Sequence, residues 1–259
     1  MLNNYLAQTQ QLLQNPAAPT ALYSTALLTG YINVARGQVA GEGECIRRYG
    51  TISLTPGLAG PYNFSSLALG VPATTGVQGA IHIRSIFYNV GSGQKRLSVR
   101  AWEWFEIYSL SNPVPPFGAP VRWSQYGQGS APGVATDQAT AAGGSFYVDP
   151  VPDVAYTLNC DCVCFPLQLA VDGDPEALPY LWGDCVPFFA AYFALLSSQT
   201  SARRGEAEAQ FGFYQTFLER ARRFSNPNVN RFAYAQTQDP VQAAKIGLQL
   251  SAGGRNGAQ

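Results

Sequence analysis

The stretch Ser145–Leu169, SFYVDPVPDVAYTLNCDCVCFPLQL, decides the fold class together with its continuation Ala170–Gln199, AVDGDPEALPYLWGDCVPFFAAYFALLSSQ, and the later run Glu206–Pro227, EAEAQFGFYQTFLERARRFSNP. It begins as strand, with period-two alternation in Val154–Leu167, passes through an acidic turn and ends in two helices. Val186, Phe189, Ala190, Phe193, Leu195 and Leu196 make the first of these helices largely apolar, which suits a buried or subunit-facing position. Asp184 reads as its cap, with Pro187 tolerated in the first turn. The second helix, from about Glu206 to Phe224, carries Glu206 and Glu208 at its start and Arg220, Arg222 and Arg223 at its end, the order that a helix dipole favours.

Working toward the N-terminus, Leu2, Tyr5, Leu6, Thr9, Leu12 and Leu13 recur at helical spacing until Asn15-Pro16 stops them. A second helix follows Pro19-Thr20, with Leu22, Ala26, Leu27, Tyr31, Ile32, Ala35 and Val39 as its stripe. Strands are expected at Thr51–Leu54, Ala80–Val90, Arg96–Leu110, Val121–Tyr126 and Ser145–Val148, joined by Gly- and Pro-rich links. The expected architecture is α+β. A helical hairpin over residues 1–45 packs as a bundle with C-terminal helices over 171–225, around a central antiparallel β domain, sandwich or barrel-like, over 46–170. Residues 226–259 read as an extended tail, and the run 127–144 as an exposed loop.

Composition narrows the function classes. Charged residues are only 12% of the 259 residues, 16 basic against 16 acidic, so bulk attraction to nucleic acid or acidic membranes is not expected. A surface so poor in charge favours association. The N-terminus lacks the basic region and apolar run of a signal peptide, and no membrane span is expected.

Chemistry is sparse. His82 is the single histidine; alternation places it with Arg84 opposite Ile81 and Ile83, on a solvent-facing side. No nucleophile, metal-protease or nucleotide motif is present. Cys160, Cys162 and Cys164 alternate on one strand face and read as small buried hydrophobes, since the spacing lacks the turn of a zinc knuckle. Asp172, Asp174 and Glu176 read as turn and helix-start acidity, Pro175 interrupting any calcium loop. Trp102, Trp104 and Trp123 suit core and cross-strand pairing. No catalytic residue, metal site or cofactor is expected.

Several ordered segments resemble the head-to-tail adaptor (connector) proteins of short-tailed, podovirus-like phages. They are Tyr31-Ile-Asn-Val-Ala-Arg36 through Cys45-Ile46-Arg47, Thr51-Ile-Ser-Leu54, Gly57, Tyr62-Asn-Phe64, Pro120-Val-Arg-Trp123, Tyr147 through Asp153, Leu178-Pro179 and Trp182 through Leu196. The resemblance spans roughly residues 20 to 225, and the order of the pieces carries it. It implies a non-enzymatic virion protein: a ring, commonly of twelve copies, beneath the portal protein, joining the capsid to the tail tube or nozzle. Such a ring sits at the head-to-tail interface of the virion, is assembled in the host cytoplasm, and lines the channel through which genomic DNA leaves without specific binding. Arg222, Arg223, Phe224, Arg231, Phe232 and Tyr234 are then expected to dock on the portal. Val186, Phe189, Phe193 and Leu196 are expected on the helix between subunits. Another tail-associated structural protein, or a receptor- or carbohydrate-binding β module using Trp102, Trp104 and Trp123, is the competing expectation.

Overall fold

A computed structural model describes residues 1–15, 21–91, 93–112, 115–127, 144–198 and 201–225. Met1 leads into helix α1 (Leu2–Leu12), and Ser24 caps helix α2 (Thr25–Gly43) by accepting the Leu27 amide at 3.2 Å. Strands β1 (Arg47–Ser53) and β2 (Tyr62–Asn63) and the helical turn α3 (Pro72–Thr75) follow. Next come β3 (Val77–Val90), β4 (Gly93–Arg96), β5 (Ser98–Val99), the turn α4 (Trp102–Trp104), β6 (Arg122–Tyr126), β7 (Ser145–Asp149) and β8 (Thr157–Pro166). The chain closes with α5 (Tyr180–Gly183), α6 (Val186–Ser197) and α7 (Ser201–Ser225). The fold is α+β.

The strands form two four-stranded sheets. One has the order β1-β8-β3-β4 and is antiparallel throughout; the other has the order β2-β7-β6-β5, with β5 and β6 parallel. In the first sheet, Leu158, Cys160, Cys162 and Cys164 of β8 are buried with Ile86 and Tyr88 of β3. Residues of the opposite parity, Arg47 and Tyr49 on β1, stay exposed. Helix α2 packs on β8, and α1, α2 and α7 all pack on α6. One continuous apolar core therefore runs from Leu2 and Tyr5 through Ile32, Phe189 and Leu218 to Phe146 and Val148.

The segment 101–110 differs from its expected strand: β5 ends at Val99, and Trp102–Leu110 is helical, passing into a π-helical turn over Phe105–Leu110. Phe105 and Ser109, four apart, are its buried residues, and the Ser109 hydroxyl donates to the Asp149 carboxylate at 3.1 Å. That polar anchor outweighs the aromatic alternation. In α2 the buried face is Leu28, Ile32, Ala35, Arg36 and Val39, whereas Leu22 precedes the helix and is exposed, as is Leu27. Cys185, not Asp184, occupies the position before α6, and Asp184 closes α5. Helix α7 begins earlier than expected, at Ser201, so Glu206 and Glu208 lie beyond its first turn while Arg222 and Arg223 fall in its last.

A buried ion pair ties α2 to the loop that follows β8. Arg36 is fully buried on α2 and forms a two-pronged pair with Glu176, Nη2 to Oε1 at 2.7 Å and Nε to Oε2 at 3.0 Å. It also donates to Asn33 Oδ1 and to the Leu167 carbonyl, so each nitrogen of the fork has a partner. Asn33 in turn accepts from the Leu169 amide and donates to its carbonyl. These bonds clamp the loop between β8 and α5 onto α2. At the far end of α2, the Trp182 ring fills the space where Gly43 would otherwise carry a Cβ.

Candidate docking surfaces

Among the described residues, Tyr180–Ser197 is the one helical stretch long and apolar enough to cross a membrane. Half of it is buried inside the fold, because Trp182, Val186, Phe189 and Ala190 are covered within the helical layer. Its hydrophobicity is that of a core helix wrapped on several sides.

Of the four residues expected between subunits, Val186 and Phe189 are buried within the chain, Phe189 against Tyr214 of α7 with ring centroids 4.7 Å apart. Phe193 is half-buried and Leu196 exposed, so these two retain surface to offer a neighbour. Phe193 meets Tyr31 of α2, centroids 6.3 Å apart. Leu27, Tyr31 and Val34 lie four and seven residues apart on α2 and share a face; Leu27 and Val34 are exposed. Together with Phe193 and Leu196 they form a first apolar patch.

A second patch lies elsewhere on the same layer. Phe188 of α6 stacks on Phe217 of α7, centroids 4.9 Å apart, and approaches Phe213, which is 52% exposed. Phe188 and Phe193 are five positions apart, which turns them roughly 140° from each other around the helix axis. Helix α6 therefore presents aromatic surface in two different directions. The periodicity of α6 alone did not separate them, because Phe188, Tyr192, Phe189 and Phe193 follow one another around a single arc of about 140°.

At the C-terminal end of α7, Arg222 Nη2 donates to the Glu42 carbonyl at 2.6 Å, and Arg223 pairs with Glu219 one turn back at 3.3 Å. Phe224 is exposed beneath Arg220, whose guanidinium lies 5.9 Å from the ring centre. The expected docking residues Arg222, Arg223 and Phe224 therefore cluster at one helix end beside a hollow of ≈ 380 Å³ lined by Thr216, Glu219, Arg220, Arg223 and Phe224. Arg231, Phe232 and Tyr234 lie outside the described residues.

The other singled-out residues are structural in setting. Cys160, Cys162 and Cys164 share one face, as their alternation predicts, and all are buried. Burial pushes the Cys160 and Cys164 thiols up to about 12 and raises Cys162 as well, so they are poor nucleophiles. Among the described residues no group of three His, Cys, Asp or Glu side chains gathers as a metal site. Asp172 accepts from the terminal ammonium at 2.7 Å and from the Asn3 amide, which holds its carboxyl below the usual range. Asp174 accepts from the Ala170 and Val171 amides, closing the turn, and is lowered likewise. Trp123 is buried; Trp102 is half-buried between Tyr126 and Tyr147, centroids 4.6 and 4.9 Å away. His82 faces Glu44, Nε2 to Oε1 at 3.5 Å.

No protein-family model matches the chain, and no curated protein matches it in sequence.

Proposed function

We propose that this protein is a head-to-tail adaptor of a short-tailed phage, a virion structural protein without catalytic role or cofactor. In this reading copies of the chain form a ring, of twelve by analogy with the resembled family, beneath the portal and above the tail tube or nozzle. The ring is assembled in the host cytoplasm and stays at the head-to-tail interface, where DNA leaves through its lumen.

One structural observation supports the reading beyond the ordered motifs: α6 carries two apolar patches facing different ways, Tyr31/Phe193/Leu196 and Phe188/Phe213/Phe217. A ring closes through heterologous contacts, in which each copy offers two unlike surfaces. Single exposed apolar residues need no explanation, but two aromatic patches on one helical layer of a chain with net charge zero do.

The reading is tested by pull-down on the portal ring of the same virion. The full chain is expected to be retained in stoichiometric amount, and Phe213→Glu, which charges one of the two patches, in clearly less than stoichiometric amount. A chain truncated after Ser225 is expected to fold and to lose portal binding. Retention of the truncated chain at full strength would reject the docking role of residues 226–259.

A further inference from the structure

Net charge zero conceals a segregated chain. Residues 46–102 contain Arg47, Arg48, Arg84, Lys95, Arg96 and Arg100 with no Asp or Glu. The fold gathers part of this excess on the open face of the first sheet, in a cleft of ≈ 450 Å³ lined by Arg47, Arg84, Ser85, Phe87, Gln94, Arg96 and Asp161. A second hollow of ≈ 350 Å³ shares Arg84, Ser85 and Arg96 and extends the cleft toward β5.

Two of these arginines are braced by carboxylates. Arg47 pairs with Asp161, and Arg84 Nη1 with Glu44 Oε2 at 2.5 Å. Each remains about half-exposed, at 50% and 44% of its side chain. The Arg96 guanidinium, on edge strand β4, has no ion-pair partner among the described residues. Two aromatic rings stand on the same face. Tyr49, opposite Asp161 on β8, is 66% exposed and meets Phe87, opposite Asn159, edge to face with centroids 5.8 Å apart. The Tyr49–Phe87 pair thus sets an exposed aromatic surface beside the arginine-lined cleft, of which Phe87 is itself a wall.

We propose that this open sheet face binds single-stranded nucleic acid. Tyr49, with Phe87 holding its ring, is the stacking platform for a base, while Arg47, Arg84 and Arg96 meet phosphates. Arg47 on β1 and Arg96 on β4 are three strand spacings apart, roughly 14 Å, enough for a short run of nucleotides to cross the sheet. Gln94 and Ser85 supply neutral donors and acceptors between them. Charge complementarity selects a polyanion, and the exposed ring selects one with free bases, because bases stacked in a duplex cannot lie on a sheet-borne tyrosine. The carboxylates Asp161 and Glu44 hold two of the guanidinium groups in place and keep the affinity moderate. This site is independent of the adaptor reading, and its test uses no portal.

The full-length protein is titrated into a fluorescein-labelled oligothymidylate of about 20 nucleotides, with anisotropy read at about 50 and about 200 mM salt. Binding is expected at the lower salt and is expected to weaken as salt rises. Tyr49→Ala is expected to weaken it about tenfold, and Arg96→Ala to make the log-log salt dependence shallower by about 0.7. Both side chains are exposed, so thermal melts of the two variants should overlay that of the parent. No anisotropy change at the lower salt, parent-like binding by both variants, or duplex DNA bound as tightly as the single strand would each overturn the proposal.

Discussion

Arg36 and Arg96 mark two regions that treat the same side chain in opposite ways. Arg36 sits fully buried between α2 and the loop leading to α5, with Glu176, Asn33 and the Leu167 carbonyl around its guanidinium. Arg96 lies on an exposed edge strand whose face also carries Arg47, Arg84 and Tyr49. In the first region the charge is used up inside the fold; in the second it remains available to a ligand. A formal count of zero net charge cannot distinguish them, because it weighs a buried, neutralised pair and an open cluster alike.

The comparison is broken most severely by removing one partner of the buried pair. Glu176→Ala leaves the Arg36 charge buried without its carboxylate and is expected to cost about 3–5 kcal/mol in chemical denaturation. The double change Arg36→Met with Glu176→Leu should recover most of that loss, since no lone charge remains. A single variant as stable as the parent would show that the clamp is dispensable.

A smaller effect comes from the thiols beneath the open sheet. Burial pushes the native Cys160 and Cys164 thiols up to about 12, whereas an unfolded thiol loses its proton near about 8.5. Above that value the unfolded chain binds fewer protons than the native one, so stability is intact at neutral pH and falls as pH rises from about 9 toward 12. One unit above the ordinary thiol value, each buried thiol contributes about 1.4 kcal/mol to this loss. Denaturation midpoints measured between about pH 7.5 and 9.5 should fall less steeply in Cys160→Ala than in the parent. Equal slopes would mean that the native thiol ionises freely.

On the open face, the same kind of truncation is expected to be mild. Arg84→Ala breaks a pair with Glu44 in which both side chains are about half-exposed and should cost no more than about 1 kcal/mol. Arg96→Ala should fall within about 0.5 kcal/mol of the parent. A loss at Arg96 as large as that at Glu176 would erase the distinction between the two regions.

Much of the sheet architecture was legible because burial on one face leaves a period of two. Ala80–Val90, Val121–Tyr126 and Ser145–Val148 match β3, β6 and β7 closely, and the shared face of the three cysteines followed from the same rule. The segment 101–110 was not legible: its turn is held by Ser109 reaching Asp149, 40 residues away, which no local pattern records. The stripe expected for α2 holds at Ile32, Ala35 and Val39 but omits Arg36, for a related reason. Arg36 belongs to its buried face only because Glu176, 140 residues away, neutralises it, and a hydrophobic stripe counts arginine as exposed. Among the candidate surfaces, the α7 end was readable from Arg222, Arg223 and Phe224. The open basic face was not, because β1, β3 and β4 contribute its arginines from three separate stretches.

The adaptor account is tested most directly by mixing the full-length protein with the purified portal ring of the same virion and imaging the product by electron microscopy. The account predicts a second ring on one pole of the portal, matching its symmetry, with the helical layers of adjacent copies in contact through the α6 patches. Portal rings that remain bare at every salt concentration tried would contradict it.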